Sequence, residues 1–428
     1  MGLLPSRPLV KSNVDRSRSP IVIPFAILLV LALLGGLATL FALRHGGVET
    51  AGGTGDAVPV VGSPSPTSFV PVGPFGVGET TLSLPSNGAP VEVWYPAPAD
   101  SAHGTPATID LKGYLPASVR PLFAKLGAVI EQTDGIRGLP IAQGTFPLVV
   151  FSHGFLGFRT QSASLTSHLA SWGFVVAAPE HLDRNLTAVL KEFLSTGTVN
   201  ESGTSNDVAD LEATISLMGS EDQRSTSPFY RHLDMGRIGA LGHSAGGSAV
   251  EKLAVADSKV KVFVGLAGAS YGSFGQTSSG DGASAPLQPG MLMYGERDRV
   301  VSPGTIKNAY NQMHQPKRLI GLTGAGHLVF TDICSLGSGQ GGLVAIGLRA
   351  GLALPALITL EGTDGCSLSD VAPVAQRPVI DQSVVAELRW ALGYDQTQGG
   401  LDGLMGAFPG LVSQNTSAQS VSGATPRS

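Results

Sequence analysis

The chain has 428 residues, 43% of them hydrophobic, a formal net charge of −5 and a pI near 6.0. The acidic balance argues against a nucleic-acid partner, and the hydrophobic share is enough for a sizeable core. The two cysteines make no metal-ligand spacing and no phosphate-binding or dinucleotide glycine pattern occurs, so neither metal nor cofactor is expected.

Residues 1–20 carry Arg7, Lys11, Arg16 and Arg18 and precede an unbroken uncharged run, Ile21–Leu43. At about 1.5 Å per residue that run spans a bilayer core of about 30 Å. The positive charge before it predicts a cytoplasmic tail, with everything after Arg44 outside the cell membrane. A cleaved signal peptide is the alternative; such peptides have an apolar region of about 7–15 residues and a small-residue cleavage site, and this run is longer with no clear A-x-A pattern. Residues 44–69 are rich in Gly, Pro, Ser and Thr and read as a flexible tether. The stretch 396–428 has similar composition and reads as a disordered tail. No internal repeat is seen, and nothing in the sequence fixes an oligomeric state.

Residues 70–395 read as the folded domain. Glu79–Leu84 and Val91–Tyr95 flank the turn Ser86-Asn87-Gly88 and predict an antiparallel hairpin. One helix is expected within Tyr114–Ile130. Phe146–Ser152, FPLVVFS, is a continuous apolar run typical of a strand buried on both faces. It ends in His153-Gly154-Phe155-Leu156-Gly157. Leu165, Leu169 and Trp172 follow at helical spacing, then the strand Phe174–Ala178, and Val208, Leu211, Ile215 and Met218 mark another helix. Strands are expected at Arg237–Leu241, Val260–Leu266, Met291–Tyr294 and Arg318–Leu322. A last helix carries Val384, Val385, Leu388 and Leu392, with Gly393 as its C-terminal cap. Alternating strands and helices imply an α/β fold, with a mostly parallel central sheet and helices on both faces.

Gly242-His243-Ser244-Ala245-Gly246 lies between a predicted strand and a predicted helix. This G-x-S-x-G pattern makes a nucleophile elbow, with the serine hydroxyl held clear of the backbone. Glycines on either side let strand and helix approach closely. The Ala245 backbone N–H, at a helix N-terminus, points where negative charge develops on a carbonyl oxygen. A serine needs a base, and the base an orienting acid. Two histidines follow Ser244. His327, in Gly324-Ala325-Gly326-His327 just past a strand, is preferred as base. His314 reads as a solvated helix end. Asp298, past the end of Met291–Tyr294, is preferred as acid over Glu296. Phe155 N–H is the second oxyanion donor, and His153 and His243 are assigned structural roles.

The stretch FPLVVFSHGFLGFRTQSASLTSHLASWGFVVAAPEHLDR resembles the platelet-activating-factor acetylhydrolase type of α/β-hydrolase. It also resembles related dienelactone-hydrolase-like and actinomycete cutinase-like (polyester hydrolase) proteins. PVEVWYPA, GHSAGG, GERDRVVSP and GAGH recur in that group in the same order, from about Val70 to Leu392 with gaps. The resemblance implies an α/β-hydrolase fold, Ser244, Asp298 and His327 as triad, and Phe155 and Ala245 as oxyanion donors. Dienelactone hydrolases proper use a cysteine nucleophile, unlike this elbow. The segment from Cys334 to Cys366 matches nothing in those enzymes.

The expected function is a serine carboxylester hydrolase acting outside the cytoplasm on a lipid, short-acyl or polyester-type ester. A catalytically silent surface protein and an acyltransferase are the alternatives. Outside the cytoplasm thiols oxidise, so Cys334 and Cys366 are expected to form a disulfide. The loop between them starts close to His327 and is nearly all apolar at Gly341–Leu360. Either it packs as plain core, or it leans over the site so that Leu343, Val344, Ile346 and Leu348 join Phe155 and Leu156 in lining an acyl pocket.

Overall fold

The structure, a computed structural model, describes residues 58, 61–101, 104–200, 206–270 and 285–419. The Ile21–Leu43 run lies outside the described residues. Among them, no helix is long and apolar enough to cross a membrane.

Eleven strands form one sheet: β1 (Gly76–Ser83), β2 (Pro90–Ala97), β3 (Thr105–Asp110), β4 (Ile130–Arg137), β5 (Phe146–Ser152), β6 (Val175–Pro179), β7 (Leu233–His243), β8 (Val260–Leu266), β9 (Gly290–Gly295), β10 (Lys317–Leu322) and β11 (Val412–Ala418). Their order is β11-β10-β9-β8-β7-β5-β6-β2-β1-β4-β3. The block from β6 to β10 is parallel throughout. The predicted hairpin is present as β1 and β2, antiparallel from Gly76↔Ala97 to Ser83↔Pro90.

β5 shows why the centre reads as an unbroken apolar run. Side chains alternate between faces along a strand. Phe146, Leu148 and Val150 join one buried cluster, with Leu211, Ile215, Val250, Leu253 and Ile306. Val149 and Phe151 join the other, with Leu165, Leu169, Trp172, Val384, Val385 and Leu388. The helices fall accordingly on two sides. Ala163–Ser171 and Pro373–Ala391 cover one face; Asp207–Gln223, Ala245–Ala256 and Pro303–Gln312 cover the other.

The helix expected within Tyr114–Ile130 is present as the five-residue Arg120–Ala124, with Pro121 in its first turn, and two other expectations need correction. Gly127 then takes φ +87 and the chain enters β4. The tether ends earlier than residue 69, because Phe69 is fully buried and its N–H donates to Gln382 Oε1 at 2.7 Å. The stretch from Gln396 is not a structureless tail. Leu401, Leu404, Phe408 and Val412 are buried, and β11 pairs antiparallel with β10. Its polar sequence, VSQNTSA, suits an edge strand with little to bury.

Candidate active site

β7 ends at His243 and the next helix begins at Ala245, so Ser244 is the single residue between them. Its φ of 56° and ψ of −122° are strained values for a residue with a Cβ. Close packing holds the turn. A Cβ on Gly242 would lie 2.1 Å from Gly246 O, and one on Gly246 would lie 2.0 Å from Ser152 O. Ser244 N donates to Leu266 O at 2.9 Å, fixing the elbow to β8.

The loop after β5 abuts this elbow. A Cβ on Gly154 would lie 3.3 Å from Ser244 Cβ. Among the described residues, neither the Phe155 nor the Ala245 backbone N–H has a backbone or side-chain acceptor. Leu156 takes φ 57°, and its N–H donates to Arg184 O at 3.0 Å.

Asp298 and His327 follow β9 and β10, adjacent parallel strands. His327 Nδ1 lies 2.9 Å from Asp298 Oδ2. Asp298 Oδ1 accepts from Val300 N and Val301 N at 2.9 and 2.7 Å, which fixes the carboxylate plane. Nδ1 therefore carries the ring proton, and Nε2 is the basic nitrogen. Nε2 is buried without a hydrogen-bond partner among the described residues, and no hydrogen bond joins it to Ser244 Oγ. Burial pushes the His327 pKa down, but the charge of Asp298, their hydrogen bond, and the charges of Glu361 and Asp364 outweigh it, so the net shift is upward. Glu296 is exposed and accepts from Gly324 N, and His314 is exposed beyond the helix Pro303–Gln312. Neither joins the site.

His153 and His243, expected to be structural, are both buried in hydrogen bonds to neighbouring chain. Gln161 Nε2 lies 3.1 Å from His243 Nδ1, and His243 Nε2 lies 3.1 Å from His327 O. Gln161 Oε1 accepts from Gly154 N at 3.2 Å. The Gln161 side chain thus links the loop after β5 to the elbow, and the His243 side chain links the elbow to the base. Burial first, then the neighbouring His327, hold His243 neutral, well below the usual histidine range. His153 Nδ1 donates to Gly154 O, and its Nε2 accepts from His181 N. Beneath it lies a second Ser–His–Asp array, wholly buried: Ser152 Oγ is 2.9 Å from His181 Nε2, and His181 Nδ1 is 3.1 Å from Asp210 Oδ2. Closed off from substrate, it ties the end of β5 to the helix Asp207–Gln223.

A mainly apolar cavity reaches His327, His243, Gln161, Phe155 and Leu156. Leu111, Leu115, Phe123, Leu186 and Leu190 line it, together with Leu343, Val344, Leu352, Leu354 and Ile358. Residues of the loop between the cysteines thus line the same cavity as His327. Within the helix Gly342–Arg349, residues 343, 344 and 347 face the cavity. Ile346 does not line it: it packs into a satellite cluster with Val119, Phe123 and Leu190. Leu348 is 53% exposed. Cys334 and Cys366 are joined by a disulfide. Among the described residues, no cluster of His, Cys, Asp or Glu could hold a metal. Gln161, Glu361 and Asp364 escaped the sequence reading, because each reaches the site by a contact far along the chain.

The chain is similar to the platelet-activating factor acetylhydrolase group. The family described as platelet-activating factor acetylhydrolase, isoform II, matches residues 92–209. That span includes the loop after β5 and stops before Ser244. A platelet-activating factor acetylhydrolase of Cavia porcellus is 29% identical over 132 residues, covering 27% of this chain and 29% of the relative. Those of Canis lupus familiaris and Gallus gallus are 51% and 49% identical over 43 residues, 10% of each chain. The matches thus span under a third of these relatives' length.

Proposed function

We propose that this protein is a serine carboxylester hydrolase, tethered to the membrane by Ile21–Leu43 with its catalytic domain outside the cytoplasm. The observation that carries the reading is a strained elbow serine together with an oriented histidine whose Nε2 is buried without a hydrogen-bond partner among the described residues. Ser244 Oγ attacks the ester carbonyl carbon while His327 Nε2 takes its proton. The Phe155 and Ala245 N–H groups receive the developing oxyanion, and Asp298 holds the imidazolium. The carbon–oxygen bond breaks as His327 returns the proton to the leaving alcohol. Water then enters by the same route and releases the acid. The apolar cavity accepts the acyl part, and the relatives' name suggests a short one.

The test is turnover by the full-length chain of a series of esters graded in acyl length. Hydrolysis that Ser244→Ala abolishes supports the reading. A folded wild-type protein that turns over none of them would leave a binding role. Protease digestion of the domain on intact spheroplasts would support the orientation, and protection would reverse it.

A further inference from the structure

We propose that Asp364 is a positioning residue for the His327 base, brought to it by the disulfide-closed loop. This rests on the hydrolase reading above. Asp364 is fully buried. Its Oδ2 accepts from His327 N at 3.2 Å and from Arg299 N at 2.8 Å. Its Oδ1 accepts from Arg299 Nε at 2.6 Å, and its backbone oxygen accepts from Leu328 N at 2.8 Å. One residue therefore clamps the loop that carries the base to the residue next to the orienting acid. The two ends of the Asp298–His327 hydrogen bond sit on those two loops.

The local sequence is shaped for this contact. A Cβ on Gly326 would lie 2.5 Å from Gly365 Cα, and Gly365 takes φ +95. Two glycines facing each other let the backbone before His327 meet the backbone after Asp364. The disulfide closes the arrangement, with Cys334 downstream of His327 and Cys366 just beyond Gly365.

The clamp has an electrostatic consequence. The charged groups that act on His327 are Asp298, Glu361 and Asp364, with the neutral ring of His243 tilted against it at 4.7 Å between centroids. Arg299 pairs with Asp364 from the solvent side, its side chain 60% exposed. Removing the Asp364 charge therefore takes away one influence that favours the imidazolium. Neutral His327 then persists to lower pH. A merely structural residue would leave that limb of the pH profile in place.

The experiment compares full-length wild type with Asp364→Asn, Asp364→Ala and Ser244→Ala, reading kcat, KM, the pH profile of kcat/KM and the melting temperature. Asp364→Ala should lower kcat by about 100-fold with KM little changed, because a displacement of about 1 Å in a catalytic group costs that much. Asp364→Asn keeps an acceptor for His327 N and should recover part of the loss. Both should move the acid limb to lower pH. A folded Asp364→Asn protein with wild-type kcat and an unmoved acid limb would overturn the proposal. Should the alanine variant fail to fold, the asparagine profile decides alone. Ester turnover that survives Ser244→Ala would instead remove the hydrolase reading, and the proposal with it.

Discussion

His243 Nε2 lies 3.1 Å from the backbone oxygen of His327, so the residue before the nucleophile holds the chain that carries the base. Gln161 in turn holds His243, and by its other end the loop that bears the Phe155 donor. Nucleophile, oxyanion loop and base are thus spaced by a single buried relay. Gln161→Leu removes both hydrogen bonds at once and leaves Gly154 N and His243 Nδ1 unpaired. We expect kcat to fall by about 10- to 100-fold through misplacement of these groups. A wild-type kcat in the folded variant would show that packing alone sets the spacing.

The pH dependence follows from the base. Neutral imidazole is the proton acceptor, so kcat/KM should rise with pH as His327 loses its proton. The net upward shift places the midpoint above the ordinary histidine value of 6.5. Asp298→Asn removes the largest charge that favours the imidazolium, so the midpoint should fall, while kcat drops by about 10⁴-fold through the wrong tautomer. A wild-type midpoint below 6.5 would mean that burial outweighs the carboxylates.

The cavity assigns separate jobs to neighbours on one short helix. Val344 and, beyond the helix, Leu354 line the cavity, whereas Ile346 fills the cluster behind it. Val344→Ala and Leu354→Ala should lengthen the preferred acyl chain with little change in stability. Ile346→Ala should cost about 2–5 kcal/mol of stability and leave the chain-length preference alone. Reversal of these two outcomes would move the acyl site elsewhere.

How much of this was legible in the sequence depends on how local each signal is. FPLVVFS and RIGALGHSAGG carry their own strand, turn and helix, so the central sheet and the elbow could be read directly. Asp298 could be ranked above Glu296 because three residues past β9 is where a loop acid can turn back toward β10. β3 and β11, at the two edges of the sheet, and β4, next to the edge, bury few side chains and so keep polar, weakly patterned sequences that do not announce a strand. Gln161 and Asp364 were missed for another reason. Their partners lie 82 and 37 residues away, and no local pattern marks a side chain whose purpose is a distant contact.

The disulfide should matter to both stability and rate. Cys334 and Cys366 are 32 residues apart, and closing a loop of that size stabilises the fold by about 3–4 kcal/mol in the chain-entropy model. Its loss also loosens Asp364, two residues from Cys366. Reduction should therefore lower the melting temperature and kcat together, as followed by calorimetry and turnover with and without reductant. Two alkylatable thiols in the unreduced native protein would contradict the bond.

The central claim is that Ser244 is a nucleophile activated by His327. The most direct measurement is mass spectrometry of the full-length protein after exposure to a fluorophosphonate probe. We expect one equivalent of adduct, located on Ser244, with none in Ser244→Ala and slow labelling in His327→Ala. Labelling that persists unchanged in Ser244→Ala, or a folded wild-type protein that takes no label at all, would contradict the account.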